Sequence, residues 1–218
     1  PPFSKTSELR SALDLLRELG IPYTYMDDEY CCGVPLEETA AEGDATAAAA
    51  ASRHFTDLNV ARAKELGAKN IIYYCIWCAY QGRKYCDASG ISQRYFPDLV
   101  VEKLADKRLR VSPQTIGYYE GCHSRNRGFA PGIELDWKGY RSFLSRIEGL
   151  KVVQLNSKVC CVVRPKTIVA RAQELGVDSI VCSCTNCYTR LSQASPPELP
   201  VKYYVDLLAE AYRTAREG

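Results

Sequence analysis

Residues 60–78 read VARAKELGAKNIIYYCIWC, and residues 169–187 read VARAQELGVDSIVCSCTNC. The first eight positions of each stretch have the make-up of a helix that stops at a glycine, Gly67 or Gly176. A short apolar run rich in β-branched and aromatic residues follows, the signature of a buried strand. Each run closes on two cysteines spaced CxxC. Helix, strand and thiol pair thus recur in one order.

The likeness extends outward. YFPDLVVEKL (95–104) is echoed by YYVDLLAEAY (203–212), and LRSALDLLRELGIPYTYMDDEYCC has a looser counterpart in YRSFLSRIEGLKVVQLNSKVCC. Both upstream copies end in adjacent cysteines, Cys31–Cys32 and Cys160–Cys161. A repeat of this length marks duplicated structural units. The units are read as residues 1–112 and 113–218, meeting near LRVSPQTIG (109–117), where Pro113 and polar neighbours suit a linker.

Helical spacing over Ser7–Leu19, an extended IPYTYM, a helix over about Ala45–Leu66 and a strand at Asn70–Cys75 are expected in the first unit. YFPDLVVEKLA adds a short strand and a helix. The second unit reads as strand IGYYEGC, helix Tyr140–Arg146, strand KVVQL, helix Lys166–Leu175, strands SIVCSC and VKYYV, and helix Leu207–Arg216. Strands alternating with helices predict an α/β fold, each unit a small, mostly parallel sheet flanked by helices. Ligands in such sheets gather at the carboxyl ends of strands, where the doublets and CxxC motifs fall.

The chain's 218 residues can bury a substantial core, and a formal net charge of +2 gives no general case for nucleic acid or an anionic membrane as partner. No apolar run has the length of a membrane-spanning helix, and a cytoplasmic protein is expected. Eleven cysteines stand out. With ample core and an odd count, metal binding or redox chemistry fits better than a disulfide scaffold.

An isolated CxxC is ambiguous between zinc, iron–sulfur and a dithiol redox pair. The first unit offers Cys31, Cys32, Cys75 and Cys78; the second offers Cys122, Cys160, Cys161, Cys184 and Cys187. Zinc takes four tetrahedral ligands, so five cysteines exceed its demand, and adjacent ones are awkward on a single ion. A cluster has several irons, so neighbouring thiolates can serve different metals. Cys86 and Cys182 fall outside the repeated pattern and read as small core residues. His123 beside Cys122 is the candidate catalytic residue, able to donate a proton to a leaving thiolate. Trp77 within CIWC would shield a metal centre. Lys5, Arg10, Arg125 and Arg127 read by default as solvated surface, with steering of an anionic substrate as the alternative, and the tyrosine doublets read as core packing.

The order Cys, CysCys, CxxC on an α/β chain resembles the CCG-domain (cysteine-rich domain) iron–sulfur family, whose best-known member is the catalytic polypeptide of heterodisulfide reductase. The second unit carries the whole order, and the first carries CCG at 31–33 with Cys75 and Cys78. Three departures stand out. The first unit lacks a leading cysteine, which family spacing would place ahead of Pro1. Val162 replaces the glycine after the second doublet, and the second doublet lies much closer to its CxxC. The resemblance implies a noncubane [4Fe–4S] cluster in each unit, held by the nine cysteines above. It also implies reduction of a small disulfide, or oxidation of thiols, between the clusters. Without a nucleotide-binding glycine fingerprint or ferredoxin-type cysteine run, electrons would come from a partner. The resemblance suggests a ferredoxin-like iron–sulfur subunit, with a flavoprotein beyond it. Two rivals remain: an electron-relay subunit of an organic-acid dehydrogenase or sulfite-reduction membrane complex, and a zinc-stabilised assembly module.

Overall fold

A computed structural model describes residues 6–26, 28–86, 89–121, 124, 135–155 and 158–217. Contacts gather the chain into two units, Ile21–Phe96 with Pro1–Ser4, and Pro97–Gly218 with Lys5–Gly20. The division at 112/113 is one of sequence repeat; this one is of packing. The two differ because helix α1 (Thr6–Glu18) and the residues from Pro97 onward cluster with the second unit.

The first unit contains α2 (Val34–Thr39), α3 (Ala45–Glu65), β1 (Asn70–Tyr73), α4 (Ile76–Cys86) and β2 (Ser92–Tyr95). A short 3-10 turn at Glu42–Asp44 precedes α3. β1 and β2 pair in parallel from Asn70↔Ser92 to Tyr73↔Tyr95. Val60 and Ala63 of α3, Ile71 of β1, Cys86 of α4 and Ile91 form a buried cluster between sheet and helices. The expected strand IPYTYM has no ladder partner among the described residues. Its counterpart in the second unit pairs with the strand that opens that unit, and the described part of the first unit has no such strand.

α5 (Phe96–Lys103) leads into the second unit. There follow β3 (Arg110–Tyr119), α6 (Trp137–Leu144), β4 (Glu148–Gln154), α7 (Pro165–Glu174), β5 (Ser179–Cys182), α8 (Thr185–Ala194), β6 (Val201–Tyr203) and α9 (Tyr204–Glu217). The sheet order is β4-β3-β5-β6, and every ladder is parallel. The α/β architecture, with small parallel sheets and helical cover, is that expected from the alternating pattern.

The stretch LRVSPQTIG is not a linker. Most of it lies in β3, whose Ile116, Tyr118 and Tyr119 are fully buried. Pro113 is tolerated because the β3–β4 register shifts between Arg110 and Gln114, so no regular ladder bond is asked of it. On the helical side, Glu18 of α1 takes a forked contact from Arg213 Nε of α9 at 2.8 and 3.1 Å. Ala12, Leu15 and Leu16 of α1 are buried. Tyr204 of α9 donates to the Tyr140 carbonyl of α6 at 3.0 Å, and the Tyr140 hydroxyl donates to Asp98 of α5.

Three helices go beyond the sequence expectation: α2, directly after the first doublet, and α4 and α8. α4 and α8 start inside the CxxC motifs, their first turns closed by Ala79 N–H to Cys75 C=O and Tyr188 N–H to Cys184 C=O. Among the described residues no helix is long and apolar enough to cross a membrane.

Candidate metal centre

In the first unit the chain reaches its doublet along α3. The Asn59 side chain accepts from Tyr30 N–H and donates to Tyr30 C=O, both at 2.8 Å, replacing the ladder partner this segment lacks. Just after the doublet the backbone turns left-handed at Gly33, φ +80°. Ser52 of α3 donates to the Gly33 carbonyl at 3.0 Å, and a Cβ at Gly33 would sit 2.6 Å from the Ser52 Cα. The glycine of CCG therefore answers two demands, a conformation and a close approach. The turn leaves Cys31 exposed and Cys32 buried.

Cys32 is hydrogen-bonded to Cys78 in the first turn of α4, and Cys78 also to Cys75. The bond to Cys78 holds Cys32 below the usual thiol range against the opposing effect of burial. Cys78 is driven the other way by its bonds to Cys32 and Cys75 and by burial. The shared hydrogen bond thus shifts the two sulfurs in opposite directions.

The second unit repeats the arrangement. Cys161 and Cys187 are hydrogen-bonded at 3.2 Å, and Cys187 also bonds Cys184. Cys161 is again lowered, first by that bond, and Cys187 raised. Cys161, Cys184 and Cys187 are buried, and Cys160 is partly exposed. Two tyrosines expected only to pack in the core hold this set in place. Tyr119 donates to the carbonyl of Val159, just before the doublet, at 2.5 Å. The Tyr118 hydroxyl and Ser183 Oγ, beside Cys184, lie 2.9 Å apart. Adjacent strand residues face opposite ways, so one tyrosine pair serves both cysteine segments. Only the doubling of Tyr at a strand end signals this in the sequence.

Val162 stands where the first unit has glycine, and no non-glycine residue among those described has positive φ. The chain leaves the second doublet without a left-handed turn and exposes Val162 and Val163. The shorter doublet-to-CxxC gap has a plain cause. α2, the 3-10 turn and the first half of α3 have no counterpart, and α7 begins at Pro165.

Cys86 lies in the first-unit core, 3.5 Å from Asp57 Oδ1, its thiol pKa pushed up to about 11 by burial and then by that carboxylate. Cys182 is buried, its sulfur 3.8 and 3.9 Å from the carbonyls of Cys184 and Lys202. Trp77 meets Tyr80 edge-on at 6.0 Å, and Arg10 is exposed. Cys122, His123, Lys5, Arg125 and Arg127 lie outside the described residues.

Among the described residues, no three His, Cys, Asp or Glu side chains form a set able to hold a metal ion. The donor chemistry nonetheless fits iron–sulfur ligation. In each unit the mutually bonded groups are all thiols, one already biased to thiolate, at the start of a helix whose N–H groups favour negative charge.

Residues 4–81 match the family model of the CCG cysteine-rich domain. That segment is similar to a CCG domain. The match contains Cys31, Cys32, Cys75 and Cys78, and the CCG family is associated with redox iron–sulfur proteins. No curated protein matches the chain. Similar solved structures include two racemase-like proteins. One, from Yersinia pestis and described as a putative Asp/Glu racemase, is 16% identical with TM-score 0.40, over 98% of this chain and 95% of that one. The other, an aspartate racemase homologue from Pyrococcus horikoshii OT3, is 12% identical with TM-score 0.35, over 100% of this chain and 94% of that one.

Proposed function

We infer that the protein is the catalytic iron–sulfur subunit of a heterodisulfide reductase-like complex, reducing a small disulfide to two thiols. The observation that carries this reading is the duplicated sulfur set. Cys32 with Cys78 and Cys75, and Cys161 with Cys187 and Cys184, arise from equivalent positions of two repeats and share the same bonding order. A disulfide needs two electrons and two protons to become two thiols, and two one-electron centres match that demand. A bound noncubane [4Fe–4S] cluster in each unit would supply single-electron steps and iron positions open to sulfur. The chain's part is to hold each cluster through its cysteines and to keep Cys32, Cys161, Cys184 and Cys187 buried from water. His123 is assigned the proton to a departing thiolate, with Cys122 as the fifth ligand of the second centre. Electrons would arrive from a ferredoxin-like partner subunit, itself served by a flavoprotein. Run backwards, the same parts oxidise thiols.

The test is anaerobic. Protein reconstituted with iron and sulfide is given a reduced viologen dye and a panel of small disulfides. Dye oxidation that depends on the disulfide, yields free thiol and is lost in Cys187→Ser supports the assignment. Clusters that exchange electrons with dyes but leave every disulfide intact would instead mark an electron-relay subunit.

A further inference from the structure

Glu37 is not a cysteine ligand, yet side chains from two other helices converge on it. Gln81 Nε2 and the Tyr85 hydroxyl donate to its Oε1 at 2.6 and 2.8 Å, and Lys84 Nζ to its Oε2 at 2.9 Å. The Ser52 hydroxyl of α3, which donates to the Gly33 carbonyl, shares its proton with the carboxylate. Gln81 is only 3% exposed, so the carboxylate satisfies a donor with little access to water.

The location gives this contact meaning. Glu37 sits on α2, which starts directly after Cys32 and Gly33. Gln81, Lys84 and Tyr85 sit on α4, whose first turn carries Cys78, and Gln81 is one helical turn beyond Cys78. One carboxylate therefore ties the helix hanging from the doublet to the helix that begins in CxxC. Among the described residues the second unit shows no such tie: its doublet runs into exposed Val162 and Val163, and the next helix is α7 at Pro165. Its doublet is held by Tyr119 instead.

We propose that Glu37 is a positioning residue of the first cysteine centre, setting the spacing of Cys32 to Cys75 and Cys78 by locking α2 against α4. This rests on the reading of those cysteines as cluster ligands, and it makes the two centres unequal. The first depends on a charged clamp that protonation or substitution can release; the second does not.

The test uses the full chain with Glu37→Ala, Glu37→Gln, Lys84→Met and, as control, Glu38→Ala at an exposed neighbour. In reduced, metal-free protein, alkylation is followed cysteine by cysteine by mass spectrometry. Glu37→Ala should speed alkylation of Cys32 and Cys78 about tenfold, and that of Cys161 and Cys187 less than about twofold. Lys84→Met, which leaves the buried amide its acceptor, should give a smaller change of the same pattern. Glu37→Gln keeps an oxygen acceptor and should recover most of the protection, and Glu38→Ala should match the parent. After reconstitution in a Cys187→Ser background, the first centre's electron paramagnetic resonance signal and midpoint potential should move in Glu37→Ala and not in Glu38→Ala. Unchanged alkylation in both Glu37→Ala and Lys84→Met, or equal acceleration in both units, overturns the proposal. If the parent protein takes up no iron and sulfide, the cluster reading fails by itself, and the alkylation contrast still decides whether Glu37 positions these thiols.

Discussion

Cys161 and Cys187 lie 3.2 Å apart, sulfur to sulfur, although 26 positions separate them in the chain. Nothing local brings them together. One ends the run that Tyr119 tethers to β3, and the other sits in the first turn of α8, after β5. Parallel pairing of β3 with β5 delivers both segments to the same end of the sheet. Cys32 and Cys78 meet likewise in the first unit, by way of α3 and α4.

Removing one member of each pair should therefore act on one centre only. Cys187→Ser is expected to lower iron and acid-labile sulfide to about half the parent value, and Cys78→Ser to remove the other half. Cys86→Ser, a change inside an apolar cluster, should leave both contents intact. Metal analysis of the purified variants checks all three.

Glycine substitutions separate conformation from crowding. Gly67 has φ +70° with open space around its Cβ position, so Gly67→Ala should cost about 1 kcal/mol. Gly33 has φ +80° and Ser52 backbone 2.6 Å from the added carbon, so Gly33→Ala should cost roughly 2–4 kcal/mol. Urea unfolding of the two variants gives the comparison directly.

Tyr119→Phe leaves the ring in place and removes the donor to the half-buried Val159 C=O. Losing such a hydrogen bond costs about 1 kcal/mol. Alkylation of Cys161 and Cys187 should rise, with Cys32 and Cys78 unchanged, as read by mass spectrometry of the metal-free protein.

The Glu37 clamp has a pH signature. Burial pushes its carboxyl up, but hydrogen bonds from Lys84, Tyr85, Gln81 and Ser52 outweigh that and hold it below the ordinary 4.5. A carboxyl lowered by folding stabilises the native state above its unfolded value and loses that contribution as pH falls through the folded value. Stability of the parent should decline faster than that of Glu37→Gln as pH drops below about 4.5. Denaturation midpoints measured across that range test the sign.

Much of this fold can be read from the chain because the repeat supplies two samples of each element. Strand and helix at VARAKELG-NIIYYC and VARAQELG-SIVC are legible from apolar period and the closing glycine. α4 and α8 are not, because CIWCAYQGRKYC and CTNCYTRLSQA lack a clean apolar stripe; their start is set by the strand feeding straight into a turn at the first cysteine. β3 is half hidden by Pro113, whose cost vanishes at a register shift that no composition reveals. Cysteine spacing points to the thiols that come together, Cys32 with Cys78 and Cys161 with Cys187. Glu37, Tyr118 and Tyr119 cannot be found that way, since their partners lie on other elements and only the fold unites them.

Iron and acid-labile sulfide measured together on anaerobically prepared protein bear most directly on the central claim. Iron and sulfide in comparable amounts, falling with Cys78→Ser and with Cys187→Ser, is the result expected. Zinc without sulfide, or metal content indifferent to those cysteines, would contradict it.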